Sequence, residues 1–349
     1  LSLGSSVILS PHVGDLDNAL SADVYRRVID DLVSFFDVRP DAVACDMHPD
    51  YASTRHAQQL AAAWKVPLVP VQHHHAHVAA CMAEHGLDRD VLGLAWDGTG
   101  FGSDGTVWGG EVLRCSGSRV ERVAHLRTFP LPAGDRAARE PRRSALGVLF
   151  EILGDQAAEW AQAWFRPTEL QTLLAALHRP RLFPRTSSMG RLFDAVAVLC
   201  GVFDRCTFEG QAAMGLEFLA NPDVRDAYPL PLSSGQPAGA DWEPLVRAVL
   251  DDRRRGVPPE DIAARFHNAL ADFAAQAARH AACPAVVLTG GCSQNALLER
   301  RVRTRLLKDG FAVYTHHDVP PGDGGIALGQ VFVAAQKIKE SSYVSGNPR

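Results

Sequence analysis

The sequence lacks the features that mark several large classes of protein. It has 349 residues and no apolar run as long as the roughly 20 residues that a transmembrane helix needs. It has no excess of positive charge, because 35 Lys and Arg residues stand against 40 Asp and Glu residues, a formal net charge of −5. These absences argue against a membrane span, and against general binding to nucleic acid or to an anionic membrane. We therefore expect neither nucleic acid nor membrane as a partner.

Cysteine is sparse, and its spacing is irregular. The 7 cysteines are scattered along the chain and none forms a C-x-x-C pair, which argues against a zinc finger. An odd, scattered set indicates reduced thiols, so a cytoplasmic location is expected. No signal peptide is apparent, but the chain begins at Leu1 and not at Met, so an upstream segment can be missing.

Two common catalytic signatures are also missing. The glycine-rich stretch 98–102 does not have the P-loop spacing G-x-x-x-x-G-K-[ST] and does not open a helix, which disfavours a P-loop or Rossmann site. A zinc protease of the H-E-x-x-H type would need Glu at position 74, where this chain has His.

The first part of the chain alternates strand-like and helical patterns. Helices are predicted over 19–36 and 51–64, and strands near 7–9, 41–50 and 66–71. The helix that follows opens with a run of histidines. This strand–helix–strand order predicts a largely parallel sheet, with an α/β fold class.

The rest of the chain changes pattern twice. Residues 91–115 predict a β-hairpin with a wide glycine-rich connection, and the periodicity from about 134 to 230 is mostly helical. Residues 231–241 predict a surface loop, because Pro, Ser and Gly are frequent there. After that loop the chain alternates again, with a helix over 258–282, a strand over 285–291, a helix over 294–308, a strand over 311–316 and a helix over 323–338.

Four of the 14 histidines fall within five positions, at His73, His74, His75 and His77. His73 and His77 are four apart, so on a helix they share one face and can bind one metal ion. The alternative is a polar helix start, and spacing alone leaves both open. A third ligand must come from far along the chain, and Asp323, in a strand-to-helix turn, can supply it. Two histidines and a carboxylate with open positions suit iron or zinc.

Two glycine turns follow apolar strands. Asp97 and Gly98 come directly after the first strand of the hairpin, where glycine backbone can approach a phosphate and a carboxylate can orient a metal or water. Gly290 and Gly291 precede a helix and would expose backbone donors to an anion, with Asn295 adding a side-chain contact. A plain hairpin turn and a plain Gly-Gly turn are the alternatives.

A third segment carries two carboxylates in apolar surroundings. Ser188 and Gly190 open a helix, and Asp194 and Glu209 follow among Gly and Ala residues. Such carboxylates can accept hydrogen bonds from ribose hydroxyls. The alternative is helix capping and solvent-facing charge, which spacing alone favours.

Two polar stretches complete the candidate sites. Polar residues crowd the end of the strand near 41–50, which suggests a substrate cleft, and we take three of them as candidate catalytic residues: Asp46, His48 and Arg55. A basic stretch can attract phosphates or form a solvated basic face, through Arg136, Arg139, Arg142 and Arg143.

The chain resembles the HypF family, the carbamoyltransferases of [NiFe]-hydrogenase maturation. Nine motifs occur in the order found in that family, between about residue 8 and residue 335: SPHVGDLDN, CDMHPDYAST, VQHHHAHVAACMAEH, DGTGFGSDGTVWGGE, SSMGRLFDAVA, FEGQAAMGLE, ARFHNAL, TGGCSQNALL and DGGIALGQ. Their common order makes the resemblance specific, although no single motif is decisive.

The resemblance implies the family's C-terminal module, which is related to the TsaD tRNA threonylcarbamoyl transferases. That module has the ASKHA fold, an actin-like and RNase H-like α/β fold of two lobes with a cleft between them. We therefore expect an N-terminal lobe over 1–90 and a C-terminal lobe over 91–349, with a helical insertion at about 134–230.

The resemblance also implies a role for each matched residue. His73, His77 and Asp323 match the family's metal ligands, usually on iron, with zinc as the alternative. The nucleotide-binding residues that it implies are Asp97, Gly98, Thr99, Gly190, Asp194, Glu209, Gly210, Gly290, Gly291 and Asn295.

The implied reaction transfers a carbamoyl group. The substrates are carbamoyl phosphate and ATP, with carbamoyl-adenylate as the activated donor and Mg²⁺ as a further candidate cofactor. The acceptor is the C-terminal cysteine of the partner HypE, and the carbamoyl group later becomes a cyanide ligand of the hydrogenase iron. Three alternatives stay open: an O-carbamoyltransferase, a tRNA threonylcarbamoyl transferase, and a non-catalytic scaffold that binds ATP and HypE.

Overall fold

The structure is a computed structural model that describes residues 1–16 and 18–344. Within these residues the strands are β1 (Ser2–Leu3), β2 (Ser6–Val7), β3 (Val43–Asp46), β4 (Leu68–Val71), β5 (Val91–Trp96), β6 (Gly110–Ser116), β7 (Arg119–Leu126), β8 (Phe129–Pro130), β9 (Arg185–Thr186), β10 (Ala238–Ala240), β11 (Ala285–Thr289) and β12 (Ala312–Tyr314). The helices of the same residues are α1 (Ala19–Phe35), α2 (Ala52–Trp64), α3 (His73–Glu84), α4 (Pro141–Leu153), α5 (Ala158–Ala161), α6 (Pro167–Leu177), α7 (Met189–Leu199), α8 (Gln211–Leu219), α9 (Glu243–Arg254), α10 (Pro259–Ala281), α11 (Ala296–Lys308) and α12 (Ile326–Val344).

A six-stranded mixed sheet lies at the centre, in the order β10-β7-β6-β5-β11-β12. The predicted hairpin is confirmed, because β5 and β6 pair antiparallel, and β7 continues the meander. The strands β11 and β12 pair parallel on the other side of β5. A separate two-stranded parallel sheet joins β3 and β4, which confirms the predicted strand–helix–strand unit. The α/β class is thus confirmed.

The central strand β5 faces two cores because its side chains alternate. Leu92, Leu94 and Trp96 belong to the larger core, which also includes apolar side chains of α4, α7, α9 and α10. Val91 and Ala95 belong to a smaller core shared with α3. The strand is buried on both faces, as its continuous apolar sequence predicts.

The close packing of α3 depends on small residues. A Cβ added at Gly93 of β5 would come 2.1 Å from Val78 Cγ2, so glycine lets α3 lie against the sheet. A Cβ at Gly329 of α12 would come 1.8 Å from the Ala76 carbonyl oxygen. The helix α3 is therefore held between the sheet and α12, and all its residues from His73 to Met82 are buried.

Three sequence predictions of secondary structure need correction. Residues 231–241 are not only a loop, because Ala238–Ala240 forms the edge strand β10 and pairs parallel with β7. The first strands are Ser2–Leu3 and Ser6–Val7 and not 7–9. The helix α9, Glu243–Arg254, falls in a stretch for which no element was predicted. Three-residue edge strands such as β10 are too short to show a hydrophobic period.

In the described residues, no helix combines the length and the apolar character that crossing a membrane requires.

Candidate functional site

Four side chains from distant parts of the chain meet at the N-terminal end of α3. In the described residues, ligand atoms of His73, His77, Asp97 and Asp323 all lie within 4.8 Å of one another. The Nε2 atom of His77 is 2.9 Å from Asp97 Oδ2 and 3.7 Å from Asp323 Oδ1. The Nε2 atom of His73 is 3.6 Å from both of these oxygens. The predicted trio of His73, His77 and Asp323 is thus brought together, and Asp97 joins it.

The geometry follows from the local sequence. The side chain of Gln72 caps α3, because its Oε1 accepts a hydrogen bond from the His75 N–H at 2.9 Å. The four-residue spacing then puts His73 and His77 on one helix face, with ring centroids 4.9 Å apart. Both imidazoles are at most 4% exposed, whereas the Asp323 side chain is 78% exposed. The group therefore opens to solvent on the side of Asp323.

A carboxylate behind His73 orients its ring. The Nδ1 atom of His73 is 2.8 Å from Asp46 Oδ2, so Nδ1–H donates there and Nε2 points into the group. That Nε2 atom is buried and has no hydrogen-bond partner among the described residues. A histidine whose second nitrogen is held by a carboxylate is the usual arrangement of a metal ligand. Asp46, taken from the sequence as a catalytic candidate, lies here as a support of His73.

The charges in the group favour a cation. Burial disfavours a charged His73, but the carboxylates of Asp323, Asp46 and Asp97 outweigh burial and raise its pKa well above the ordinary value. Burial also disfavours a charged Asp97, but His73 and His77 hold its pKa well below the ordinary value. Three carboxylates around two imidazoles leave negative charge in excess. Two imidazole nitrogens and two carboxylate oxygens are a donor set that fits a divalent ion such as iron or zinc.

Asp97 has a second role that the sequence did not reveal. Its Oδ1 accepts hydrogen bonds from the backbone N–H groups of Gly98 at 2.8 Å and Gly291 at 3.1 Å, while its Oδ2 faces His77. One carboxylate thus joins the two glycine turns to the histidine pair. The alternation of side chains along β5 could have indicated this position. Val91, Gly93 and Ala95 face α3, and Asp97, two residues further on, lies on the same face.

The turn that carries Asp323 is tied to the other end of α3. Glu84 Oε1 accepts hydrogen bonds from the backbone N–H groups of His317 at 2.8 Å, Asp318 at 2.5 Å and Val319 at 3.4 Å. His316 lies between Glu84 and Thr289, with Nδ1 at 3.3 Å from Glu84 Oε2 and Nε2 at 2.8 Å from Thr289 Oγ1. The same helix therefore carries two residues of the four-residue group and anchors the loop that leads to Asp323.

The other two histidines of the run lie in the first turn of α3 and are also buried, so this polar helix start does not face solvent. His74 is 0% exposed and its Nδ1 lies 3.2 Å from Gln72 Nε2. His75 is 2% exposed, and burial lowers its pKa to about 4. Neither belongs to the four-residue group.

The two glycine turns meet, but their amides are already paired. The Gly290 N–H donates to the Pro321 carbonyl at 2.9 Å, and the Gly291 N–H donates to Asp97. Asn295 Oδ1 caps α11 at the Leu298 N–H. The expectation that these donors are open to an anion is therefore corrected, because the protein itself uses them. The binding of nucleotide there stays a prediction.

The predicted nucleoside segment lies beside the first turn. The Gly190 N–H donates to the Asp97 carbonyl at 3.0 Å, and a Cβ at Gly190 would come 2.9 Å from Gly98 Cα. A Cβ at Gly98 would come 3.1 Å from Glu209 Oε1. The structure thus brings Gly98, Gly190 and Glu209 together, and Gly210, with a φ of +78°, directly precedes α8. Thr99 is exposed in the same turn.

Asp194 is buried and does not face solvent, which corrects the interpretation that spacing favoured. It is 3% exposed and forms an ion pair with Arg191 at 2.9 Å. Burial raises its pKa to about 7, against the opposing effect of Arg191, and Glu209 adds to the rise. The Nε atom of Arg191 is buried without a hydrogen-bond partner among the described residues, whereas its Nη1 makes the ion pair with Asp194. Sequence reasoning missed Arg191, although it stands three residues before Asp194 on the same helix.

The remaining catalytic candidates lie at the end of β3. His48 stacks on Tyr51, with ring centroids 4.1 Å apart, and its backbone N–H donates to Asp46 Oδ1 at 2.7 Å. Arg55 is exposed and pairs with Asp50 at 3.2 Å. His48 therefore shares Asp46 with His73, whereas Arg55 is turned to solvent.

Two of the four arginines of the basic stretch contradict the interpretation as a solvated basic face. Arg142 and Arg143 are 3% and 4% exposed, and each pairs with the carboxylates of Glu140 and Glu169. They are thus not a solvated face, because their guanidinium groups are held in ion pairs.

Comparison with known proteins identifies the family. The description "HypF Kae1-like domain" matches residues 1–84, and "Carbamoyltransferase, Kae1-like Domain, second subdomain" matches residues 93–330. The chain is 39% identical to Carbamoyltransferase HypF2 of Cupriavidus necator over 97% of its own length and 45% of that relative. It is 41% identical to a Carbamoyltransferase HypF homolog of the same organism, over 96% of the chain and 88% of the relative.

Solved structures support the same family assignment. A full-length HypF in a phosphate- and nucleotide-bound form superposes with a TM-score of 0.86 at 40% identity, over 94% of this chain and 43% of that one. HypF of T. kodakarensis gives a TM-score of 0.86 at 31% identity, over 95% of this chain and 45% of that one. The chain thus spans less than half the length of these HypF proteins. The resemblance found in the nine motifs is confirmed, and the chain belongs to the HypF family of carbamoyltransferases.

Proposed function

We propose that this chain transfers a carbamoyl group from carbamoyl-adenylate, made from carbamoyl phosphate and ATP, to the C-terminal cysteine of HypE. The product would supply the cyanide ligands of the iron in [NiFe]-hydrogenase. The observation that carries the proposal is Asp97, which joins the His73 and His77 pair to both glycine turns through one carboxylate. Membership of the HypF family supports the same activity.

The proposal includes the two-lobed ASKHA architecture. The β3–β4 unit with α2 belongs to the lobe proposed for 1–90, and the six-stranded sheet belongs to the lobe proposed for 91–349. The helices α4 to α8 fall in the stretch proposed as the helical insertion. The cleft would then lie where the end of β3, the start of α3 and the end of β5 come together.

The chemistry requires an anchored donor and a polarised carbonyl. Carbamoyl-adenylate is a mixed anhydride, so AMP is a good leaving group. The HypE thiolate would attack the carbonyl carbon, a C–S bond would form, and the bond from that carbon to the phosphate oxygen would break as AMP leaves. Holding both reactants in line supplies much of the rate increase. A divalent ion held by His73, His77, Asp97 and Asp323 would supply a Lewis acid for an oxygen of the donor.

The chain's own residues would provide the positioning. Glu209 lies beside Gly98, where it can accept hydrogen bonds from a ribose hydroxyl. The buried Nε–H of Arg191 has no partner among the described residues and can donate to a phosphate oxygen. His48, half-buried at the edge of the group and held through its backbone by Asp46, is assigned to take the proton of the thiol. Glycine at 190 lets these segments approach closely.

The test supplies the activated donor directly. Purified chain, synthetic carbamoyl-adenylate and HypE are mixed, and intact-mass spectrometry follows the addition of one carbamoyl group to HypE. The expected result is transfer that is lost when the terminal cysteine of HypE is replaced by Ser and lowered at least a hundredfold by Asp97→Asn. A chain that binds HypE but transfers nothing from carbamoyl-adenylate would be a scaffold, and the proposal would fail.

A further inference from the structure

A cavity of about 470 Å³ lies among the helices of residues 134–230. Four arginines and one carboxylate line it, together with the indole of Trp164: Arg136, Arg142, Arg166, Arg205 and Glu169. None of these residues belongs to the candidate site described above. The volume falls in the range of pockets that bind small molecules.

The floor of the cavity is a buried ion-pair network. Arg142 Nη2 donates to Glu140 at 2.8 Å and to Glu169 at 3.3 Å, and Arg143 donates to the same two carboxylates at 2.7 and 2.9 Å. Arg142 Nη1 also donates to the Trp164 carbonyl at 2.7 Å, and its guanidinium lies over the Phe165 ring at 4.3 Å. The network fixes Arg142 at the base of the cavity in one orientation.

The network leaves positive charge in excess. Arg136 joins it as a third arginine, 2.9 Å from Glu140 Oε1, so three guanidinium groups share two carboxylates. Burial opposes ionisation of Glu140, but Arg142 and Arg143 outweigh it and lower its pKa to about 2. Glu140 is therefore a fixed anion at neutral pH, and the excess is not removed by protonation.

Two further arginines stand at the cavity without partners. Arg166 and Arg205 are exposed, and within residues 1–16 and 18–344 neither forms an ion pair. The Nε atom of Arg142, a side chain 3% exposed, also has no hydrogen-bond partner there. Unpaired guanidinium groups that converge on one cavity suit a multiply charged oxyanion, because each can donate two parallel hydrogen bonds to it.

Two helices begin at this cavity. Arg142 is the second residue of α4, and Arg166 directly precedes α6, whose first residue is Pro167. The N-terminal ends of helices carry partial positive charge and favour anions. The two helix ends add to the positive potential of the arginine cluster. Because the formal net charge of the whole chain is −5, this positive potential is local.

From these observations we propose that this cavity binds a small phosphate-bearing molecule. Arg142 would meet the phosphate at the base, Arg166 and Arg205 would close over it from the rim, and the half-buried indole of Trp164 would contact the remainder of the ligand. The limited volume favours a small ligand over an acidic peptide. The proposal does not depend on carbamoyl transfer.

The test is isothermal titration of the chain with inorganic phosphate at constant ionic strength, with chloride replacing phosphate in the reference. The decisive variant is Arg166→Gln with Arg205→Gln, because both side chains are exposed and unpaired and their loss should leave the fold intact. The matched control is Arg179→Gln with Arg181→Gln, which changes two exposed arginines beyond the other end of α6. We expect the first pair to weaken phosphate binding at least tenfold and the control pair to change it less than twofold.

Three results would overturn the proposal. The first is a wild-type chain that shows no heat of phosphate binding beyond the chloride reference. The second is full affinity in the Arg166 and Arg205 variant with loss in Arg191→Gln, which would assign the phosphate to the candidate site. The third is a hexaglutamate peptide that binds with the same dependence on Arg166 and Arg205 while phosphate does not, which would assign the cavity to an acidic protein partner. Thermal melts of each variant confirm that the compared chains are folded.

Discussion

His267 shows how a single buried side chain can make the stability of the protein depend on pH. It is 0% exposed, its Nδ1–H donates to the Ala263 carbonyl at 2.7 Å, and its Nε2 accepts from Asn295 Nδ2 at 3.0 Å. Both nitrogens are therefore used by the neutral ring. Burial lowers the pKa of His267 to about 4, although the bond to Ala263 opposes the shift.

We predict that the His267→Phe variant loses part of the pH dependence of stability. The unfolded chain takes up a proton on this histidine as the pH falls through 6.5, whereas the folded chain does so only near 4. The stabilisation is thus present above pH 6.5 and is lost as the pH falls, by about 2 kcal/mol between about pH 7.5 and 5. Urea unfolding at both pH values measures it in wild type and variant.

His280→Gln is the matched control, since His280 is exposed on the same helix. Its pH dependence should equal that of the wild type. An equal loss of stability in wild type and His267→Phe between the two pH values would contradict the account of His267.

At the scale of elements, α3 organises the candidate site from both of its ends. Its first two turns carry His73 and His77, and its last residue, Glu84, holds the loop that precedes Asp323 through three backbone N–H groups. Glu84, outside the four-residue group, thus holds the loop before Asp323 against the helix that carries His73 and His77, about 250 residues away in the sequence. Supports of this kind commonly change metal affinity by about 10–100-fold.

We predict that Glu84→Ala loosens this loop without unfolding the protein. Amide hydrogen exchange of residues 317–319 should become at least tenfold faster, because three N–H groups lose their acceptor. Zinc affinity, measured by competition with a chelating dye, should fall about tenfold. Glu84→Gln keeps the Oε1 acceptor, so its exchange rates and zinc affinity should lie between those of the wild type and those of Glu84→Ala. Unchanged exchange in Glu84→Ala would show that the loop is held by other contacts.

The crossing of α3 and α12 gives a second prediction at this scale. Gly329→Ala would place a methyl group 1.8 Å from the Ala76 carbonyl oxygen, and backbone on both sides must then move apart. We expect the free energy of unfolding to fall by about 3 kcal/mol. Gly239→Ala is the control, since its nearest atom, Ser233 Oγ, would be 3.6 Å away. Equal urea midpoints for the two variants would refute the close crossing.

At the scale of the whole molecule, local periodicity predicted most elements but not the sheet order. The hairpin β5–β6, the βαβ unit around α2 and the long helix α10 follow from apolar spacing and from Pro at the start of α10. The order β10-β7-β6-β5-β11-β12 places β11 beside β5, although nearly 190 residues separate them. Such pairing depends on tertiary packing, which a local pattern does not contain.

The residues of the candidate site that lie on one helix or in one sequence motif could be predicted from the sequence. The spacing of His73 and His77 placed them on one helix face, and Asp323 was predicted as the third ligand from its strand-to-helix turn and then from the family resemblance. Three features were not predicted: the contacts of Asp97 with both His77 and the glycine turns, the burial of Arg191, and the pairing of the Gly290 and Gly291 amides within the protein. They depend on which turns meet when distant strands pair, so they require the folded structure.

We propose that His73, His77, Asp97 and Asp323 form one site for a divalent ion. The most direct test loads the chain anaerobically with Fe²⁺ or Zn²⁺, removes the excess, and measures metal per chain by mass spectrometry. The account predicts one ion per chain in the wild type and in His75→Gln, whose buried imidazole is outside the group, and almost none in His77→Ala or Asp323→Ala. Equal metal content in all four proteins would contradict it.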